Sequence, residues 1–301
     1  MAFVELLRQS PGLLITLCIG LGLIVGSFLN VVIYRLPIML QRDWLAQHDV
    51  ITGINAGTKS DPDPTKVDTF NLALPGSHCP HCQQPLSPLE NIPVLSYLFL
   101  GGKCSNCQHK ISLRYPSVEL LTALLSALIA SKFGFTWLTP ILLLFTWSLI
   151  VLTLIDIDYG ILPDEITIPL LWAGLLVNAT HLGLEISLYD AVFGAIVGYL
   201  FLWSFFWIFK LLFGKEGMGF GDFKLLAALG AWMGWQSLLP LIILSSLAGS
   251  LFGITMIAFA GSNRETSIPF GPFLAGAGFM LMIWGPSIYD FYFKTLLAIG
   301  G

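Results

Sequence analysis

Charge is what this sequence has least of. Asp, Glu, Lys and Arg make up only 11% of its 301 residues, against about 25% in soluble domains. Water is therefore excluded as its main solvent. The formal net charge of −4 is small and says nothing about nucleic acid, which is not among the expected partners. Internal repeats are absent, as are charges deep within the apolar segments, and both absences argue against an ion-coupled transporter. No G-x-G-x-x-G fingerprint marks a nucleotide cradle. Cysteine is also sparse, and four of the five fall within one polar stretch.

What is abundant is apolar sequence, 55% of the chain. Apolar windows bounded by Pro, Gly or charge predict helices near 13–34, 117–132, 138–155, 165–182, 189–213, 223–236, 238–260 and 270–292. The expected fold is an all-α polytopic membrane protein of about eight transmembrane helices. Its first helix follows Arg8 and is too long for a cleaved secretory signal, so it is expected to be retained. Cys18 lies inside that helix and reads as a small packing residue. The domain division expected is a first transmembrane helix over 1–34, a polar module over 35–116 and a transmembrane domain over 117–301. Within the module, the stretch from Arg42 to Asp68 has little apolar periodicity and reads as an irregular insertion.

Orientation follows from the positive residues. With the N-terminus outside and eight alternating spans, eleven Lys and Arg lie inside and only Arg8, Lys132 and Lys294 outside. The 35–116 module is then cytoplasmic, and the connections 156–164 and 214–223 share its face. Three polar regions converge there, which makes a site possible.

The module carries Cys79-Pro-His-Cys82 and Cys104-Ser-Asn-Cys107, separated by 21 residues. Each C-x-x-C turn converges two thiolates, and two turns complete the tetrahedral sulfur shell that suits zinc. A closed four-sulfur shell supports folding and leaves no position for chemistry. A cytoplasmic location disfavours disulfides, while His78, His81 and His109 read as solvated neighbours.

Two acidic regions sit at helix ends. One is Asp156-Ile-Asp158-Tyr-Gly-Ile-Leu-Pro-Asp164; the other is Gly219-Phe-Gly221-Asp222. Asp164 and Asp222 could each cap the helix that follows. Gly219 and Gly221, however, leave little bulk beside Asp222, so that a peptide backbone could approach it closely. Aspartic proteolysis needs two carboxyls sharing one proton: one activates water and the other polarises the scissile carbonyl. An Asp from the third apolar helix is the natural complement.

Gly219-Phe-Gly-Asp222 resembles the G-x-G-D motif shared by prepilin peptidases and presenilin-type intramembrane proteases. Further segments resemble the bacterial prepilin peptidases in particular. They are Gly26 to Pro37, the two cysteine knuckles with Glu90-Asn-Ile-Pro93 between them, Ser112 to Glu119, Asp156 to Asp164 and Lys215 to Lys224. They run in order over nearly the whole chain. The resemblance implies a bifunctional enzyme of the bacterial inner membrane. It would cut the basic leader from type IV prepilins or type II secretion pseudopilins and N-methylate the new amino terminus with S-adenosylmethionine. By motif position it implies Asp156 and Asp222 as the dyad, with Asp158 the rival, and Gly219 and Gly221 as an active-site loop. It does not place the methyl donor; Glu90 and Glu119 are candidate acceptors for the amine's proton, and Glu119 reads equally as a helix N-terminal charge. A transporter using Asp156 and Asp222 as relay carboxylates, and a presenilin-like enzyme cutting transmembrane helices, are the competing readings.

Overall fold

A computed structural model describes residues 2–52, 70–182, 185–214, 218–260 and 268–292. The chain divides into two compact units, residues 1–130 and 131–301. No strand occurs among the described residues; the extended pairing consists of isolated bridges between His78 and Pro85 and between Lys103 and Lys110.

The first unit holds α1 (Ala2–Gln9), α2 (Pro11–Thr52), α3 (Leu95–Phe99) and most of α4 (Arg114–Phe133). The helix expected to end near residue 34 continues to Thr52. At 42 residues it is about 63 Å long, roughly twice the hydrocarbon thickness of a bilayer. The expectation of an irregular chain from Arg42 is corrected as far as Thr52, and residues 53–68 of that stretch lie outside those described. The misreading has a simple cause. Past residue 40 the helix is exposed up to His48, so no apolar stripe records its period. Arg35 fixes where the chain returns: it is buried and donates to the carbonyls of Asn71 and Pro75 at 2.9 and 2.6 Å. Phe70 stacks beneath Arg42, 4.4 Å from ring centre to guanidinium. Gly22 and Gly26 let α2 and α4 touch, since a Cβ at Gly22 would lie 2.7 Å from Ala123 Cα.

The second unit comprises α5 (Leu138–Tyr159), α6 (Asp164–Ala179), α7 (Leu188–Phe213), α8 (Phe220–Met233), a short 3-10 turn (Trp235–Ser237), α9 (Leu238–Ala260) and α10 (Gly271–Tyr292). All eight apolar windows thus form helices. Among the described residues, six helical segments are long and apolar enough to cross a membrane: Pro11–His48, Arg114–Phe133, Leu138–Tyr159, Leu188–Phe213, Trp235–Phe259 and Gly271–Ile288. The other two, α6 and α8, have 16 and 14 residues.

Helix α8 is the axis of this unit. It is apolar on every face and buried from Asp222 through Met233 apart from Lys224, as expected of a helix enclosed by other helices. α6, α7 and α10 pack against it. The α7 contact is backbone on backbone: a Cβ at Gly194 would stand 2.5 Å from the Gly230 carbonyl oxygen. Two buried side chains tie α6 to the far end of α8. Trp232 Nε1 donates to the Leu170 carbonyl at 2.8 Å, and Asn178 Nδ2 donates to that of Ala231 at 2.8 Å. With its far end bonded to α6, α8 presents its first turn in a fixed place.

Candidate functional site

Asp156 lies in the last turn of α5, which ends at Gly160 in the left-handed conformation with its N–H bonded to the Asp156 carbonyl. Its side chain is 6% exposed. Asp158, two residues further round the helix, is on the exposed side. Asp222 lies in the first turn of α8 and is likewise 6% exposed. Leu162 packs against both Gly221, which precedes Asp222, and Gly271, which binds Asp156, so these two buried carboxyls, unlike the exposed Asp158, share one locus.

That locus has a third wall that the sequence reading missed. Gly271 opens α10, and its N–H donates to Asp156 Oδ2 at 3.0 Å. A carboxylate at a helix N-terminus meets both a spare donor and the positive end of the macrodipole. A Cβ at Gly271 would stand 2.5 Å from that same oxygen, so only glycine brings its N–H this close. The signal in the sequence was the run Pro269-Phe-Gly-Pro272 at the head of the last apolar helix, with proline at the second helical position and glycine at the first.

The two motif glycines differ in what they do. The space beside Gly221 is filled by Leu162, whose Cβ would lie 2.7 Å from an added Cβ. The bare backbone of Gly221 thus seats Leu162. An added Cβ at Gly219 would meet only Asp222 Oδ2, at 3.8 Å, so that position alone is open. Asp222 Oδ1 is buried with no hydrogen-bond partner. An orphaned buried carboxylate oxygen is costly, and its cost is understandable where a reacting water or carbonyl is to be received. Residues 215–217 of the same motif lie outside those described.

Neither Asp164 nor Asp222 is an N-cap. Pro163 and Gly219 hold those positions, and Asp164 instead receives Lys224 Nζ at 2.6 and 2.7 Å on its two oxygens. The pair joins the first turns of α6 and α8. It is partly exposed, 32% and 47% for the two side chains, so Lys224→Met is expected to cost under about 1 kcal/mol. Thermal unfolding in detergent at low and high salt would check this, the loss shrinking as salt rises.

The cysteines meet as expected. Cys79 and Cys107 Sγ are 3.8 Å apart, Cys82 and Cys104 Sγ 3.9 Å, and all four sulfurs lie within 4.8 Å of one another. Sulfurs at about 2.3 Å from one zinc stand about 3.8 Å apart in a tetrahedron, so the donor set fits that ion. The two knuckles repeat one backbone pattern. Cys79 N and Cys104 N donate to the carbonyls of Gln84 and His109, while Gln83 and Gln108 turn through φ of 59° and 56°. His81 stacks on His109 at 4.4 Å between ring centroids, which gives those rings a packing role. Glu90 binds Ser105 from the second knuckle and accepts the Ser87 N–H at 2.8 Å; these bonds pull its carboxyl down to about 2. So weak a base is poorly suited to take an amine's proton, and Glu90 reads as a tie within the module.

Comparison with known proteins agrees with this geometry. Residues 21–133 match the bacterial peptidase A24 N-terminal domain, and residues 143–254 match the type IV leader peptidase family. The chain is 51% identical over 294 residues to a prepilin leader peptidase/N-methyltransferase of Pseudomonas aeruginosa, covering 98% of each chain. It is 52% identical over 295 residues to the protein of that name from Aeromonas hydrophila, covering 97% of this chain and 98% of that one. For Burkholderia pseudomallei the figures are 45% over 278 residues, with 92% and 88% covered. No solved structure matches the chain.

Proposed function

This chain belongs to the type IV leader peptidase family, and from that premise we propose that Asp156 and Asp222 are the carboxyl pair that hydrolyses the leader–pilin bond. The chain is a multi-pass membrane endopeptidase that cleaves prepilin leaders and an N-methyltransferase for the new amino terminus. The observation that carries the dyad is the pair of buried carboxyls from separate helix ends, one held by the Gly271 N–H and the other with an unpartnered oxygen.

In the proposed hydrolysis one carboxylate takes a proton from water while its protonated partner donates to the scissile carbonyl oxygen. Water oxygen bonds to the carbonyl carbon, the C–N bond breaks, and the departing nitrogen collects a proton. Gly219 is the side from which the substrate backbone enters, and Gly221 fixes the wall. S-adenosylmethionine, when bound, would supply the methyl group to the freed amine, which would give up a proton as the sulfonium becomes a neutral thioether.

Residues 35–116 serve as a cytoplasmic module in which Cys79, Cys82, Cys104 and Cys107 hold a structural zinc; 1–34 anchor it and 117–301 carry proteolysis. The excess of positive residues on that side supports a cytoplasmic site in the inner membrane, among its lipids, and pseudopilins of type II secretion are further substrates of the same chemistry. The test is direct. Purified chain in detergent, given a prepilin leader peptide with and without S-adenosylmethionine, is expected to release the leader in both cases and add a methyl group only in the second. An uncut peptide would end the peptidase reading.

A further inference from the structure

Between the two cysteine knuckles runs Asn91-Ile-Pro-Val-Leu-Ser-Tyr-Leu-Phe-Leu100, ten residues without a charge. Its short helix, α3, has no buried residue. Leu98 and Phe99 are 66% and 87% exposed, and Leu89, Ile92 and Leu95 of the same stretch are exposed too. Single exposed apolar side chains are ordinary, but five within eleven residues make a patch that calls for a partner. The neighbouring Glu90 does not relieve it, being taken up by bonds to Ser87 and Ser105 within the module.

The level of this stretch follows from α2 and α4, both long and apolar enough to cross a membrane. The uncharged length of α2 ends at Arg35, and α4 begins at Arg114. The two helices run antiparallel with those arginine ends together. Asn30 Nδ2 donates to the Tyr115 carbonyl at 3.1 Å, and Gly26 and Gly22 lie against Glu119 and Ala123. Glu119 is buried in the second turn of α4, so it does not serve as a helix N-terminal charge. It is bonded by the Ser27 side chain and accepts the Val94 N–H on Oε2 at 2.8 Å. Glu119 stands five residues past Arg114, about 7.5 Å of helix rise, so Val94 is bonded inside the span. A cleft repeats the placement: Ser27 and Phe28 of α2 face Ile92 and Pro93 across it. The stretch therefore lies alongside the apolar length of both helices, not beyond its charged ends. Ile24 and Phe28 on the α2 wall are exposed, and the medium at that level is hydrocarbon. Lys103 and Lys110, exposed and joined by a bridge, follow at the root of the apolar arm, where basic residues suit the headgroup layer.

We infer that residues 91–100 anchor the cysteine module in the bilayer, inserted among the lipids of the leaflet on the module's side. Leu95, Leu98 and Phe99 meet acyl chains, and a lipid tail occupies the cleft beside Phe28. No charged side chain lines that cleft, as a hydrocarbon occupant requires. Lys103 and Lys110 stay at the headgroups, where anionic lipid attracts them. The offset past Arg114 falls within the depth of about 5–10 Å usual for interfacial apolar elements. The module is thus held at the membrane in two places, by α2 and by this arm.

The test uses the full chain in nanodiscs of phosphatidylethanolamine and phosphatidylglycerol. One variant is Phe99→benzoylphenylalanine, which carries a photocrosslinker; the control is Gln84→benzoylphenylalanine, at an exposed position of the first knuckle. Lipid adducts formed on illumination are measured by mass spectrometry, and leader cleavage reports that each chain is folded. Adducts at residue 99 are expected to exceed those at residue 84 at least about tenfold, since only an inserted side chain meets acyl chains. Leu98→benzoylphenylalanine carries the test should the Phe99 variant fail to fold. Equal yields at the arm and the control would overturn the anchor. The illumination is repeated with a prepilin leader peptide present. Peptide adducts in place of lipid adducts would make the patch a substrate dock and overturn the anchor as well.

Discussion

Asp222→Asn is expected to abolish leader cleavage, lowering kcat by at least about a thousandfold, while leaving the chain as stable as before or more so. The two halves of this expectation have one cause. Asp222 is 6% exposed and its Oδ1 has no partner, so folding keeps a carboxyl where it cannot be well solvated. Asn has nearly the same shape and carries no charge, so that penalty is eased. Lost stability would mean that the bond the carboxyl accepts from the Gly219 backbone outweighs that penalty. Asp156→Asn should cost a similar factor in cleavage, and the double variant should be little worse than either, because groups acting as a unit are not additive. Asp158→Asn, on the exposed side of α5, should retain most activity. Single-turnover cleavage of a leader peptide by equal amounts of folded protein would decide. Normal activity in Asp222→Asn would end the dyad, and normal activity in Asp156→Asn would reassign its partner.

What could be read from the sequence here was whatever leaves a periodic or a spaced trace. The eight apolar windows all became helices because lipid and enclosed helices demand long apolar runs. The cysteine quartet was legible because C-x-x-C is a local turn repeated twice, each knuckle carrying its own geometry. Residues 41–52 were missed as helix because their stretch up to His48 is exposed and of mixed polarity and leaves no stripe. The Gly271 N–H was missed for another reason: it is a backbone group, and its role arises only when α10 is laid against α5, 115 positions away in sequence. The same holds for Leu162 in the space beside Gly221. A glycine in a motif announces that something comes close, and it is silent about whether that something is a substrate or a neighbouring leucine. Glu119 and Val94 illustrate the limit most clearly. Val94 turns through φ of 60° and its N–H is accepted by the buried Glu119 Oε2 at 2.8 Å, 25 residues further on; the second knuckle lies between them in sequence, and nothing local in either marks the other.

Removing the metal should produce the second large effect. The segment from Phe70 to Ser112 contains one short helix, α3, and two isolated bridges. It also has few buried apolar side chains of its own: Cys79 and Cys104 are buried within it, whereas Leu89, Leu98 and Phe99 are exposed. With so little apolar burial, the knuckles must draw their stability from the four thiolates. Structural zinc in comparable small modules contributes about 10–16 kcal/mol of apparent binding free energy, which is folding free energy. Purified, unchelated protein is expected to hold close to one zinc per chain by metal analysis. Cys82→Ser or Cys104→Ser should lower that content sharply and open the 70–112 segment to limited proteolysis. Hydrolysis per folded molecule should change far less, because a closed four-sulfur shell offers no position to substrate. A chain with far less than one zinc and an intact module would refute the metal site; lost hydrolysis in folded, protease-resistant protein would refute the separation of roles.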